Sequence, residues 1–275
     1  VRINISNGWK SVKDQFYVVI ILFLYQLLSG YFLYRLVKSA VVPLFLRYPD
    51  PPPNELSQIL FYVEGQLSLT NSQTVHSFLW MLLAVLLLRM IVTPLIHAGI
   101  IYGLHQERLG ERGLFFFEGI RKLWKPMTLL YWIEIGLVLA PAYWLIPKLY
   151  NMALTAVISP SIWLQTVPYV LAWYVYRYII HQLILYMQFG ATGLAGILSS
   201  MMICLRYVMS VMGISLILGL SCLLLFSLFT GVSLWWTGLL GLIVQQAYHF
   251  ISCLFKLWGI TAQFDLWYTK RFKSS

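Results

Sequence analysis

Six stretches of about twenty or more predominantly apolar residues run through this chain, at 16–37, 75–104, 126–149, 164–189, 204–230 and 239–262. A bilayer core needs ~20 apolar residues in a helix that crosses it. Inside hydrocarbon every backbone N–H and C=O must be paired, so only helices and closed barrels span. Unalternating runs of this length read as helices. The expected fold is an all-α polytopic bundle of about six transmembrane spans. Composition agrees: 60% of the 275 residues are hydrophobic and 10% are charged, against about 45–50% and about 25% in soluble domains. Mean hydropathy is +0.77. Such a chain cannot cover its own surface with polar groups. That excludes a soluble enzyme, a secreted disulfide scaffold and a disordered protein. The longest polar connection, 47–74, has 28 residues, whereas a soluble domain needs at least about 50. One integral membrane domain, 1–275, is expected. Any chemistry belongs inside the bundle, at its surfaces or on a partner.

The formal net charge is +10, from 19 Lys+Arg and 9 Asp+Glu. Cytoplasmic ends of membrane helices collect Lys and Arg, and no basic groove or stacking platform for nucleic acid is legible. One set of connecting segments holds Arg2, Lys10, Lys13, Arg108, Arg112, Arg121, Lys122, Lys125, Arg206, Lys270, Arg271 and Lys273. The opposite set holds Lys38, Arg47 and Lys148. Twelve against three places both termini in the cytoplasm, with the plasma membrane as the expected location. The first apolar stretch is too long for a cleaved leader, and Arg35 and Lys38 follow it without a small-residue cleavage pattern. The sequence begins with Val. This is either a GTG start codon translated literally, which makes the source bacterial, or a trimmed start.

Cys204, Cys222 and Cys253 lie in or beside apolar segments with no C-x-x-C pair, so neither a disulfide framework nor a zinc site is expected. No H-E-x-x-H, nucleotide loop or nucleophile-elbow motif occurs; no cofactor and no catalytic residue are assigned. The outer segment 47–74 carries Pro49, Pro51, Pro52 and Pro53, with Asp50, Glu55 and Glu64, and should be extended and turn-rich. Trp235 and Trp236 read as an interfacial anchor. Gly99 and Gly103 form a G-x-x-x-G, which permits close helix packing.

The segment 114–125 is the most informative link. Glu118, Arg121, Lys122 and Lys125 share one helical face, while Phe115, Phe116, Ile120, Leu123 and Trp124 fall largely on the other. It is either an amphipathic helix in the membrane surface, with Arg121, Lys122, Lys125 and Trp124 meeting anionic lipid, or an elbow that starts the third span. Gly110-x-x-Gly113-Leu114 recurs as Gly190-x-x-Gly193-Leu194, 80 positions on. With a partial third copy at Gly8-Trp9-Lys10, this suggests three units, each a cytoplasmic interfacial helix followed by a pair of spans. Such repeats often frame a central site.

These features resemble the membrane domain attached to some bacterial glycerophosphoryl diester phosphodiesterases, and related stand-alone six-span membrane proteins of unknown function. The resemblance rests on Asn7-Gly8-Trp9-Lys10 with 16–28, on 102–125, and on Phe264-Asp265-Leu266-Trp267-Tyr268-x-Lys270-Arg271. It covers nearly the whole chain and implies a six-span membrane half. The catalytic barrel of the full enzymes would take roughly 250 further residues. None of its active-site residues is carried over.

Charges inside a bilayer are costly and are functional hypotheses by default. Arg89, Glu134 and Arg177 lie at similar depth in the second, third and fourth spans, with His181 one turn after Arg177. One Arg can pair with Glu134, leaving one cation to find water, carbonyls or an anion. Arg89, Arg177 and His181 with Glu134 as counter-ion then form an anion or lipid-phosphate site, since the Arg fork binds two phosphate oxygens. The same set also reads as a structural ion-pair cluster, or as a proton-coupled path in which Glu134 and His181 titrate. His97, Gln245, Gln246, Tyr248 and His249 read as interhelical hydrogen-bonding residues. The expected function is non-enzymatic: binding or handling of a lipid or amphipathic anion, or service as a membrane subunit. A self-contained transporter is the alternative. Expected partners are membrane lipids, anionic ones on the cytoplasmic side, and a protein partner or further copies of the chain.

Overall fold

The computed structural model describes residues 1–47, 73–111, 113–156, 162–193, 196–235 and 239–271, and all of its elements are α-helices. They are α1 (Arg2–Asp14), α2 (Phe16–Arg47), α3 (Gln73–Arg108), α4 (Phe116–Leu139), α5 (Ala142–Ala156), α6 (Ile162–Gly190), α7 (Ile197–Arg206), α8 (Val208–Trp235) and α9 (Leu239–Arg271). Residues 48–72, with the four prolines and three acids of the outer segment, lie outside the described residues, as do Arg112, Trp236 and Lys273.

Among the described residues, four stretches are long and apolar enough to cross a bilayer: Phe16–Lys38, Ser77–Arg108, Phe116–Leu149 and Val208–Ser233. Protein covers only 11% to 17% of their most apolar windows. Bare apolar helix faces of this length require lipid, so the chain is a multi-pass integral membrane protein. The expected fourth and sixth spans fall in α6 and α9. These have 29 and 33 residues and the length to cross. They are less apolar because α6 holds Gln165, Arg177, His181, Gln182 and Gln188, and α9 holds Lys256, Gln263 and Asp265.

The chain divides into two compact units, Ile21–Thr93 and Val1–Ile20 with Pro94–Ser275. In the former, Tyr25 Oη and Thr93 Oγ1 are 3.3 Å apart and Thr93 Oγ1 donates to the Arg89 carbonyl at 2.7 Å. Its Leu24, Leu28, Leu79, Trp80 and Leu88 are exposed.

The other unit holds the closest packing, at the ends of α3, α6 and α9 that meet short helices. Helix α1, the first turns of α4, and α7 each lie on the C-terminal half of a long helix, with contacts that leave no room for a larger residue. A Cβ on Gly8 of α1 would sit 2.7 Å from Ala262 N and 2.8 Å from its Cα, on α9. A Cβ on Gly119, in the first turns of α4, would lie 3.0 Å from Ala98 O and 3.1 Å from Gly99 Cα, on α3. A Cβ on Gly190 of α6 would meet Ser200 Cβ of α7 at 2.9 Å. Aromatic rings fill the space between α6 and α9: Phe189 and Phe264 are edge-on at 5.3 Å, and Phe264 and Trp267 lie 5.4 Å apart. The fully buried Trp267 indole donates to Ser200 Oγ at 3.0 Å. A buried indole N–H needs such an acceptor.

Two of the short helices turn into their successors through near-identical joints. Gln15 has φ −108°, ψ 32° and donates its N–H to Ser11 O; Tyr207 has φ −113°, ψ 28° and donates to Ile203 O. Val18 N–H reaches Gln15 O at 2.9 Å, and Ser210 N–H reaches Tyr207 O at 2.9 Å. The buried positions match as well: Gly8, Ser11, Val12 and Val19 correspond to Ser200, Ile203, Cys204 and Val211, each 192 positions on. The segment 114–125 is different. It is continuous with the following helix, which runs unbroken from Phe116 through Pro126 to Leu139. The segment thus opens the third span, as the elbow reading expects. Arg121, Lys122, Trp124 and Lys125 occupy the first three turns of α4. The glycine pairing of the sequence repeat shifts too: the left-handed glycines at the exits of α3 and α6 are Gly110 (φ 83°) and Gly193 (φ 88°), three positions out of step with the expected spacing of 80.

Candidate functional site: a polar seam between α4 and α6

The break between α4 and α5 builds the seam. Pro141 has no N–H, so the Leu137 carbonyl loses its usual helical donor. The Tyr176 hydroxyl of α6 donates to that carbonyl at 3.0 Å, and the Trp173 indole donates to the next one, Val138 O, at 3.4 Å. These two bonds set α4 and α6 antiparallel, and one turn further along they bring Glu134 opposite His181. Imidazole Nδ1 lies 2.8 Å from Glu134 Oε1, with side-chain exposures of 45% and 17%. Glu134 is therefore held by His181. The sequence had suggested an arginine partner, but the register of the seam gives that place to histidine. Arg177, one turn earlier on α6, is exposed, with its guanidinium 6.0 Å from the Trp173 ring centre.

Two further groups extend the seam. His97 Nδ1 on α3 lies 3.4 Å from Gln188 Oε1 on α6, and Gln188 is buried. His97 also lies in the electrostatic field of Glu134, His181 and the exposed Lys256. The joining role expected for His97 is thus observed between α3 and α6. Arg89 belongs to the other compact unit and is exposed there. Of the four expected residues, Glu134, His181 and Arg177 share one seam.

The basic start of α4 is partly committed. Lys122 Nζ contacts Glu118 Oε1 at 2.7 Å and donates to Tyr102 Oη at 2.8 Å. Arg121 is exposed, as is Lys125, whose ammonium sits 5.7 Å from the Trp124 ring centre.

A second polar assembly was not anticipated from sequence. Arg108 of α3 pairs with Asp265 of α9, whose side chain is 3% exposed, and lies over the Tyr268 ring. Asn7 Nδ2 donates to the other Asp265 oxygen at 3.4 Å. Glu107 accepts from Ser11 Oγ at 2.6 Å and from Gln15 Nε2 at 2.8 Å. Asp265 was legible in one respect: it is the lone acid in a run, 261–267, whose every member is buried. A buried carboxylate needs a partner.

Among the described residues, no group of three His, Cys, Asp or Glu is arranged to hold a metal ion. Cys204 in α7 is buried. No family model, curated protein or solved structure matches this chain.

Proposed function

We propose that this chain is a non-enzymatic membrane component that binds or handles a lipid or another amphipathic anion at the α4–α6 seam, alone or as the membrane subunit of a complex. The observation that carries the reading is the exposed Arg177 guanidinium one turn from the part-buried Glu134–His181 pair. The carboxylate is already engaged, so it does not neutralise the guanidinium. An exposed arginine on an apolar helix draws phosphate or carboxylate headgroups, for which its planar fork is suited. The exposed Arg121, Lys125 and Lys256 add attraction for anionic lipid.

The same proposal includes six spans, with α6 and α9 crossing beside the four more apolar helices. It also includes three units, each opening with a surface segment. The matched joints at Gln15 and Tyr207 support the first and third units; the docking of Gly119 on α3 supports the second. The charge bias supports cytoplasmic termini in a bacterial plasma membrane. Kinship with the phosphodiesterase membrane domain fits this arrangement.

Native mass spectrometry of gently extracted protein tests the reading. A defined anionic lipid retained on the chain, and lost in Arg177→Ala but not in Arg89→Ala, is the expected result. A stoichiometric protein companion would favour the subunit form. The Glu134–His181 hydrogen bond supports a second reading, a proton-coupled transporter. Solute movement by the purified chain in vesicles, abolished by Glu134→Gln with no lipid retained, would replace the first reading with that one.

A further inference from the structure

We propose that α6, α8 and α9 enclose a buried water-binding site, distinct from the α4–α6 seam and formed by Gln182, Tyr186, Ser215 and Gln263. Two amides converge on one hydroxyl: Ser215 Oγ accepts from Gln263 Nε2 at 2.7 Å and from Gln182 Nε2 at 3.5 Å. Three polar atoms of these residues are cut off from solvent and have no protein partner: Gln182 Oε1 and Gln263 Oε1, on the two amides held at Ser215, and Tyr186 Oη, one turn along α6 from Gln182. Their residues are 8%, 3% and 0% exposed. Gln182 and Tyr186 are one turn apart on α6, roughly 100–160° around the helix from His181 and Gln188, so this face of α6 is not the seam.

The chemistry of the set selects the ligand. The groups are neutral, and none of the ion pairs described above includes them, so they offer no countercharge to an ion. With one end of each amide turned to Ser215, its other end is buried and unpartnered whichever way the amide is rotated, offering a carbonyl or an NH2. The tyrosine hydroxyl both donates and accepts. A ligand that satisfies all three must do the same within a small space, which is the property of water. In a bundle with apolar exteriors, such a hydrated knot joins three helices through hydrogen bonds.

Radiolytic hydroxyl-radical footprinting in H2(18)O tests this, because radicals generated from bound water label side chains that bulk solvent does not reach. The intact protein in detergent is used. Tyr186 is expected to label at least about ten-fold faster than Phe264, which is equally buried but packed among rings. Equal, slow labelling of Tyr186 and Phe264 would overturn the site. A Gln182→Leu/Gln263→Leu variant is expected to lose the Tyr186 label; if it folds and keeps the label, these amides do not hold the water. If it does not fold, the wild-type ratio still decides.

Discussion

The two ends of α3 show opposite ways of holding a helix in a membrane protein. From Ser77 to Met90 most of its side chains are exposed, five leucines with Trp80 and Arg89 among them. From Ile96 to Leu104 nearly every residue is buried, and the partners are glycines, tyrosine and charged groups. Apolar surface does not drive helices together when the surrounding solvent is itself hydrocarbon. Association then depends on close backbone approach and on hydrogen bonds. The molecule concentrates both at one place, where Gly8, Gly119 and Gly190 admit a neighbouring helix and Asp265, Glu107 and Ser200 bind across.

Substitutions graded along this contrast should have graded effects. The largest is expected for Gly8→Val. Its Cβ would lie 2.7 Å from the Ala262 nitrogen, and relieving that overlap moves α1 off α9 at a cost of more than about 4 kcal/mol. Loss of the monodisperse peak in gel filtration at ordinary temperature is the readout; a wild-type melting curve would break the comparison. Arg108→Ala comes next, stranding a carboxylate whose side chain is 3% exposed, at about 3–5 kcal/mol. The double change Arg108→Leu/Asp265→Leu should recover most of that stability in a thermal melt. Trp267→Phe removes the Ser200 hydrogen bond and should cost about 1 kcal/mol. Tyr176→Phe unpairs the Leu137 carbonyl at roughly 0.5–1 kcal/mol; a chemical-shift change at Glu134 or His181 in the same variant would sharpen the link between the proline break and the seam. Least affected should be Leu79→Ala and Leu28→Ala, on faces that meet lipid, within about 0.5 kcal/mol of wild type. A large loss there would mean that the exposed faces are covered by protein in the membrane.

The helices themselves were legible because apolar length is a property of one segment. Glu134 and His181 stood out as candidates as well, since isolated polar groups in apolar runs are conspicuous. Their pairing was not legible, because it depends on the register between α4 and α6, which the freed carbonyls at Leu137 and Val138 set. The bends at Gln15 and Tyr207 carry no proline or glycine signal at the joint. The helix continues through Pro126, against the usual expectation that proline ends a helix. The Arg108–Asp265 pair joins residues 157 positions apart, and no local pattern could connect them. Spacing of glycines suggested a repeat of 80, whereas the corresponding burial of α1–α2 and α7–α8 recurs at 192.

Helix α1 closes on α9. At about 5–20 residues per second of synthesis, Gly8 leaves the ribosome roughly ten seconds to a minute before Ala262 exists. Through that interval Ser11 and Gln15 can already reach Glu107 of α3, but Gly8 and Asn7 wait for Ala262 and Asp265. The arrival of α9 therefore closes a clasp on α1. This helix does not merely follow the earlier ones into the bilayer; a chain released before it would leave Gly8 and Asn7 of α1 without their partners.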